Sequence, residues 1–296
     1  MSKRKFGDRK DAKRIRNING MEQILMDLKP KRCDSDVYIN QKMDLTELCK
    51  YVEKKKKDNP ELTFFHAFLA ALGKLYYNRP YLNRFVANRH MYEHKDVVIS
   101  FVAKIAFEDE AEEMMILIKI DKDDNINTIS KKVLDKVKKI RESKKDKLEK
   151  GGANAAIDIL GKLPNIIRIP IVGLLKWTDK KGILPLSLVE DNLYYSSIIV
   201  SNLGSIGCGA IFHNITDFGN ASALATMGVI RDEEVLIDGK KEIRKICEFG
   251  VNLDERIGDG FYFLKSIQLL QYMFDNPELL EGDANEKIER KKEKQK

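Results

Sequence analysis

No paired cysteines, glycine-rich phosphate loop, bilayer-length apolar run or low-complexity linker organises this sequence, and each absence removes a class of protein. The four cysteines, Cys33, Cys49, Cys208 and Cys247, are scattered and form no CxxC pair. That excludes a dense disulfide framework and the spacing of a structural zinc site, so no metal is expected. Reduced thiols and a cytoplasmic location are the expectation. The first residues, MSKRKFGDRKDAKRIRNING, carry charge but neither the apolar core nor the small-residue cleavage site of a secretory signal. With no G-x-G-x-x-G, the phosphate-loop chemistry of the usual nucleotide enzymes has no support. The most apolar later stretch, LPNIIRIPIVGLLKW, is broken by Arg168 and Pro170 and falls short of the roughly 20 residues that span a bilayer. It reads as a buried or interfacial segment, with a membrane-surface contact through Ile166, Ile167, Ile171, Leu174, Leu175 and Trp177 as the minor alternative.

What is present describes a globular protein. Hydrophobic residues make up 43% of the 296 positions and charged residues 33%, enough to build a core. The net charge of +7 suggests nucleic acid until it is located. Residues 1–16 hold eight Lys/Arg against two Asp, and residues 286–296 hold six against three Glu, which leaves the rest of the chain at −2. Charge concentrated at the two ends reads as solvated tails, so no nucleic-acid partner is expected.

Between the ends, helical and strand patterns alternate. LTFFHAFLAALGKLYY spaces Phe64, Phe65, Phe68, Leu69, Leu72, Leu75 and Tyr76 as a helix with a wide apolar face, closed by Asn78 to Pro80. DVVISFVAKIAF and MMILIKID read as paired strands around the acidic EDEAEE. Ile126, Ile129, Val133, Val137 and Ile140 then predict an amphipathic helix, and a flexible loop follows near 143–153. Strands at SSIIVSNLG, ALATMGVI and KICEFGVNLDE precede a helix in FYFLKSIQLLQYMFDNP. With no internal repeat, the pattern predicts one α+β domain over residues 21–281. A basic segment at 1–20 and a charged tail at 282–296 flank it.

Two strings carry a resemblance. SNLGSIG (201–207) and DERIGDG (254–260) resemble the S-N-L-G-x-x-G and D-H-R-x-x-D-G signatures of the 2-oxo acid dehydrogenase dihydrolipoamide acyltransferases, relatives of chloramphenicol acetyltransferase. NRPYLNRF, ISFVAK and the closing NPELLE follow the family's order, and the likeness extends over approximately Asp8 to Glu281. It implies a chloramphenicol acetyltransferase-like mixed sheet flanked by helices, assembled as a homotrimer with its active site between subunits. It also implies an acyl-CoA substrate, the coenzyme A thioester. The family's histidine takes the proton of a thiol, since a thiol of ordinary pKa near 8.5 is mostly protonated at neutral pH. Ser201 stands at the position of the hydroxyl that stabilises the oxyanion.

Glu255 stands where the histidine would be. As a base it gives up about two pKa units, or about 3 kcal/mol, of driving force toward a thiol unless burial raises it. It would also repel the thiolate it forms. His213, twelve positions after Ser201, is the one other histidine of the second half and a substitute base. Cys208 reads as a small buried thiol, and His66, His90 and His94 as loop or core residues. Asp259 and Gly260 close the motif and would support the site; the resemblance implies an arginine as the ion-pair partner of Asp259, for which Arg14 and Arg16 are the candidates. Arg256 and Asn202 are further structural support of the site, Arg256 reading as a pair with Asp254 or another carboxylate, with a surface pair as the plain alternative, and Asn202 as a turn residue. No lipoyl or subunit-binding domain, and no attached lipoyl group, is expected. The expectation is acyl transfer between a CoA thioester and a thiol or other acceptor. The competing one is a catalytically inactive acyl-CoA-binding or scaffolding trimer that has lost the histidine.

Overall fold

The computed structural model describes residues 8–104, 113–145, 159–185, 188–189 and 192–289. Strand β1 (Ala12–Arg14) leads through α1 (Gly20–Leu28), capped by an Asn19–Glu22 capping box, into β2 (Asp36–Asp44). Helices α2 (Thr46–Lys55) and α3 (Phe64–Asn78) follow, then a short hairpin of β3 (Arg84–Ala87) and β4 (His90–His94). Next come β5 (Val97–Lys104), β6 (Glu113–Ile120), α4 (Ile126–Lys145) and α5 (Asn165–Lys181). Strands β7 (Ile198–Asn202), β8 (Ala223–Met227), β9 (Arg231–Ile237) and β10 (Lys240–Asp254) complete the sheet before α6 (Gly260–Asp275).

The main sheet runs in the order β2-β10-β8-β7-β5-β6, with β9 paired to the first half of the long β10. It is mixed. Strand β7 is parallel to both β5 and β8, and the other pairs are antiparallel. A small sheet, β1-β4-β3, stands apart and is covered by α1 through Met26, Val86 and Met91. This is the mixed sheet flanked by helices that the sequence led one to expect.

Helix α3 is the centre of the core. Thr63 caps it, its hydroxyl accepting from His66 N–H at 3.3 Å, and every residue from His66 to Tyr76 is buried. Alternation along the strands divides their side chains between two faces. Ile198, Val200, Ala223, Ala225, Phe249 and Leu253 join α3 and α6 in the main core. Ile199 and Leu224 point the other way and pack with Ile215 and Ala221. On that second face residues 211–215 cross the sheet. Ile211 N–H donates to Thr226 Oγ1 at 3.1 Å, His213 N–H to Asn252 Oδ1 at 3.2 Å and Ile215 N–H to Asp36 Oδ2 at 3.1 Å. Gly250 lets the crossing come close, for a Cβ there would collide with the Ile211 carbonyl.

Three expectations need correction. The segment LPNIIRIPIVGLLKW, expected to be buried or interfacial, is not buried: it forms most of α5, whose one buried residue is Asp179. The basic N-terminal run is part of the fold from Asp8 onward, since Arg9 is buried and paired with Asp11 at 2.6 Å and β1 joins the small sheet. Likewise residues 282–289 are docked rather than free, with buried Lys74 donating to Asp283 O at 2.9 Å and Glu286 at 3.0 Å. Most of the acidic turn EDEAEE (108–113) and most of the expected loop at 143–153 lie outside the described residues, while Glu113 opens β6 and 143–145 continue α4. Among the described residues no helix is long and apolar enough to cross a membrane, and no cluster of side chains has the makings of a metal site.

Candidate active site

The first half of the candidate site forms where β7 ends. Ser201 is half-buried opposite Thr226 and, by alternation from Ile199, belongs to the face crossed by residues 211–215. Asn202 accepts from Ser205 N–H at 3.3 Å and starts the turn Leu203–Ile206, which makes it a turn residue as expected. Gly204 is required by packing, because a Cβ there would meet the backbone of Gly228.

The second half forms where β10 ends. Asp254 is fully buried, and Arg256 wraps back onto it with Nε–Oδ1 at 2.8 Å and NH2–Oδ2 at 2.6 Å. The pair is interior rather than superficial, which corrects the surface reading. Arg256 NH1 also donates to Lys29 O at 2.8 Å, and buried Arg32 comes within 3.9 Å of Asp254. Burial pushes the Arg32 guanidinium below its ordinary value, with Asp254 opposing that shift. Three Arg32 contacts, to Thr216 O, Val86 O and Gly219 O, tie this cluster to the small sheet and to the residues that follow the crossing segment.

Glu255 follows this locked pair and is therefore placed by it. Its N–H donates to Ser35 O at 3.0 Å, and its carboxylate, 31% exposed, accepts from the ammonium of Lys29. Lys29 is the C-cap residue of α1. Asp36 lies opposite Asp254 in register, and desolvation pushes its carboxyl above the usual range, with the Ile215 N–H bond opposing. Neither Lys29 nor Asp36 belongs to a motif, so nothing in the string DERIGDG announced them.

Asp259 has a different partner from the one the resemblance implied. Its Oδ1 accepts from Tyr262 N–H at 2.7 Å and caps α6, with Gly260 as the first helical residue. Arg14 and Arg16 face Asp8 instead, Arg14 at 3.5 Å. His213 is exposed on the crossing segment, its Nδ1 at 3.4 Å from Asn214 O. Cys208 is exposed, contrary to expectation; the buried thiol is Cys247, pushed up to about 12 by burial.

Strand register decides what these residues can do together. Ser201 pairs with Thr226, and Thr226 with Gly250, five positions before Glu255 on β10. Five residues of strand span about 16 Å and two strand spacings add about 10 Å across the sheet. Within one chain, Ser201 and Glu255 are too far apart to meet at a single reacting carbon.

Residues 186–281 match the family model described as 2-oxoacid dehydrogenases acyltransferase (catalytic domain). A probable dihydrolipoamide acetyltransferase from Listeria monocytogenes 4b F2365 superposes with a TM-score of 0.55 at 18% identity, covering 88% of this chain and 94% of that one. A truncated catalytic core of the 2-oxoacid dehydrogenase multienzyme complex from Thermoplasma acidophilum gives 0.55 at 18% identity over 89% and 98%. A chloramphenicol acetyltransferase gives 0.50 at 10% identity over 89% and 99%. A sequence search of curated proteins returns no match. The resemblance carried by SNLGSIG and DERIGDG thus holds at the level of the acyltransferase catalytic domain, and the fold is that of chloramphenicol acetyltransferase.

Proposed function

We propose that the protein transfers an acyl group between a coenzyme A thioester and a thiol or other acceptor, at a site completed between copies of the chain in a homotrimer. The register of Ser201 and Glu255 carries this reading: two motif residues at opposite ends of one sheet come together only when a second copy supplies one of them. Exposed apolar side chains beside each half support the docking. Helix α1, which touches the Glu255 turn, exposes Met21, Ile24 and Leu28; Ile206 in the turn after β7 and Ile211, whose N–H meets Thr226 beside Ser201, are exposed as well.

Glu255 then accepts the thiol proton, and the thiolate attacks the thioester carbonyl. The Ser201 hydroxyl donates to the oxyanion, and collapse of the intermediate expels the second thiolate, which recovers the proton. Lys29 changes the balance that counts against a glutamate base. Its ammonium beside Glu255 supplies the positive charge that an imidazolium would otherwise give to the new thiolate. The same contact favours the second reading, an acyl-CoA-binding assembly without turnover, because the ammonium already occupies the carboxylate that would act as base.

The test is acyl transfer from acetyl-CoA and longer acyl-CoAs to dihydrolipoamide, with CoA and product resolved by chromatography. We expect native turnover that drops about 100-fold or more in Glu255→Gln and clearly in Lys29→Met. An inactive native protein that gains activity as Glu255→His would establish the silent reading instead.

A further inference from the structure

Helix α5 wears its apolar side outward. Arg168, Ile171, Leu175 and Thr178 are half-buried and Asp179 is buried, a three- and four-residue spacing that marks the side resting on the body of the protein. The opposite side carries Ile166, Ile169, Leu174 and Trp177, exposed by 83, 65, 61 and 54%. Surface helices ordinarily show the reverse arrangement, with the apolar stripe facing the core.

This orientation is fixed. Asp179 accepts from the Tyr195 hydroxyl at 2.6 Å and from Gly219 N–H at 3.0 Å, and Arg9 donates to its carbonyl. Gly182, in the left-handed conformation, terminates the helix. The apolar stripe is therefore held out by a buried anchor, and among the described residues none of α5 belongs to the main core.

Charge identifies what covers the stripe. Residues 159–185 contain Lys162, Arg168, Lys176, Lys180 and Lys181 against a single carboxylate, Asp179, which is spent inside the protein. Lys180 reaches Asp217 at 3.3 Å; among the described residues no ion pair holds Lys162, Lys176 or Lys181. Pairing two copies of this helix would bring cations against cations. An anionic surface meets both features, since lysines flank the stripe and a tryptophan sits near its end. From Ile166 to Trp177 the stripe is about 17 Å long, suited to lying in a bilayer surface rather than crossing it.

We propose that α5 is an interfacial helix that docks the protein on an anionic lipid bilayer, burying Ile166, Ile169, Leu174 and Trp177 among the acyl chains and setting its lysines against the headgroups. Trp177 is the one tryptophan of the chain, so its emission reports the event directly. The full-length protein is mixed with vesicles of phosphatidylcholine containing phosphatidylglycerol, or of phosphatidylcholine alone, and followed by flotation and by tryptophan emission.

The expected result is flotation with the anionic vesicles, a shift of emission to shorter wavelength, and weakening by salt. Leu174→Asp removes both signals. Lys176→Gln and Lys181→Gln each weaken partitioning about fivefold. All three substitutions are on the surface, and an unchanged melting curve confirms that each variant folds. Absence of flotation and of the shift with anionic vesicles overturns the proposal, as does equal binding to phosphatidylcholine alone. Trp177 emission that is already shifted without lipid, and that moves with protein concentration, assigns the face to a second copy and overturns it too.

Discussion

At the turn after β10 a carboxylate stands in the place of an imidazole, and an ammonium 226 positions away in the chain answers it. Motif spacing made Ser201, Glu255 and Asp259 legible, because each lies in a short string of fixed order. It could not show Lys29, whose contact depends on α1 returning to the end of β10, nor that Asp259 caps the unsatisfied first turn of α6. Behind Glu255, Asp254 and Arg256 form a buried pair whose separation costs more than its formation gains. Arg256→Met should therefore lower stability by about 3 kcal/mol in urea unfolding, since Asp254 is left without its two-pronged partner in the interior. His94 gives the molecule a pH dependence. Burial lowers it to about 4, with Asn220 O opposing at 3.3 Å. Its folded pKa lies below its unfolded value of about 6.5, so the unfolded chain binds the extra proton. Its contribution is full above pH 6.5 and is lost as the pH falls toward 4. Unfolding at pH 7.5 and pH 4.5 should differ by about 2 kcal/mol more in the native protein than in His94→Gln.

Among the elements, those with one decisive period were the most readable. Helices α3 and α6 fill the main core with apolar residues at helical spacing, and β5 with β6 pair as the two β-branched runs suggested. Strand β2 escaped notice because DVYINQKMD is polar at most positions, as an edge strand with one solvated face can be. For helix α5 the sequence supports either a buried or an interfacial segment, and the structure removes the first. An apolar run reads as buried, and sequence does not say which side a buried anchor such as Asp179 will hold inward. Local chemistry at α3 is more predictable. Thr63→Ala removes the hydroxyl that accepts from His66 N–H, and should cost about 1 kcal/mol as a lowered urea midpoint at unchanged slope.

For the whole molecule, the fold leaves the chemistry divided. The sheet sets Ser201 and Glu255 at separate levels, and the crossing segment 211–215, bearing His213 exposed midway, runs between those levels without joining them. A sequence lists the two motifs as neighbours in logic, 54 positions apart; the pairing of β7, β8 and β10 is what separates them in space. On the proposed function, that separation makes assembly a condition of turnover. The most direct test mixes two inactive variants, Ser201→Ala and Glu255→Gln, under conditions that exchange subunits, and measures acyl transfer from acetyl-CoA to dihydrolipoamide. If each site takes Ser201 from one copy and Glu255 from its neighbour, random cyclic trimers of an equal mixture regain about a quarter of native activity. If the mixture stays as inactive as its components after exchange has been demonstrated, the shared site with Glu255 as its base is contradicted.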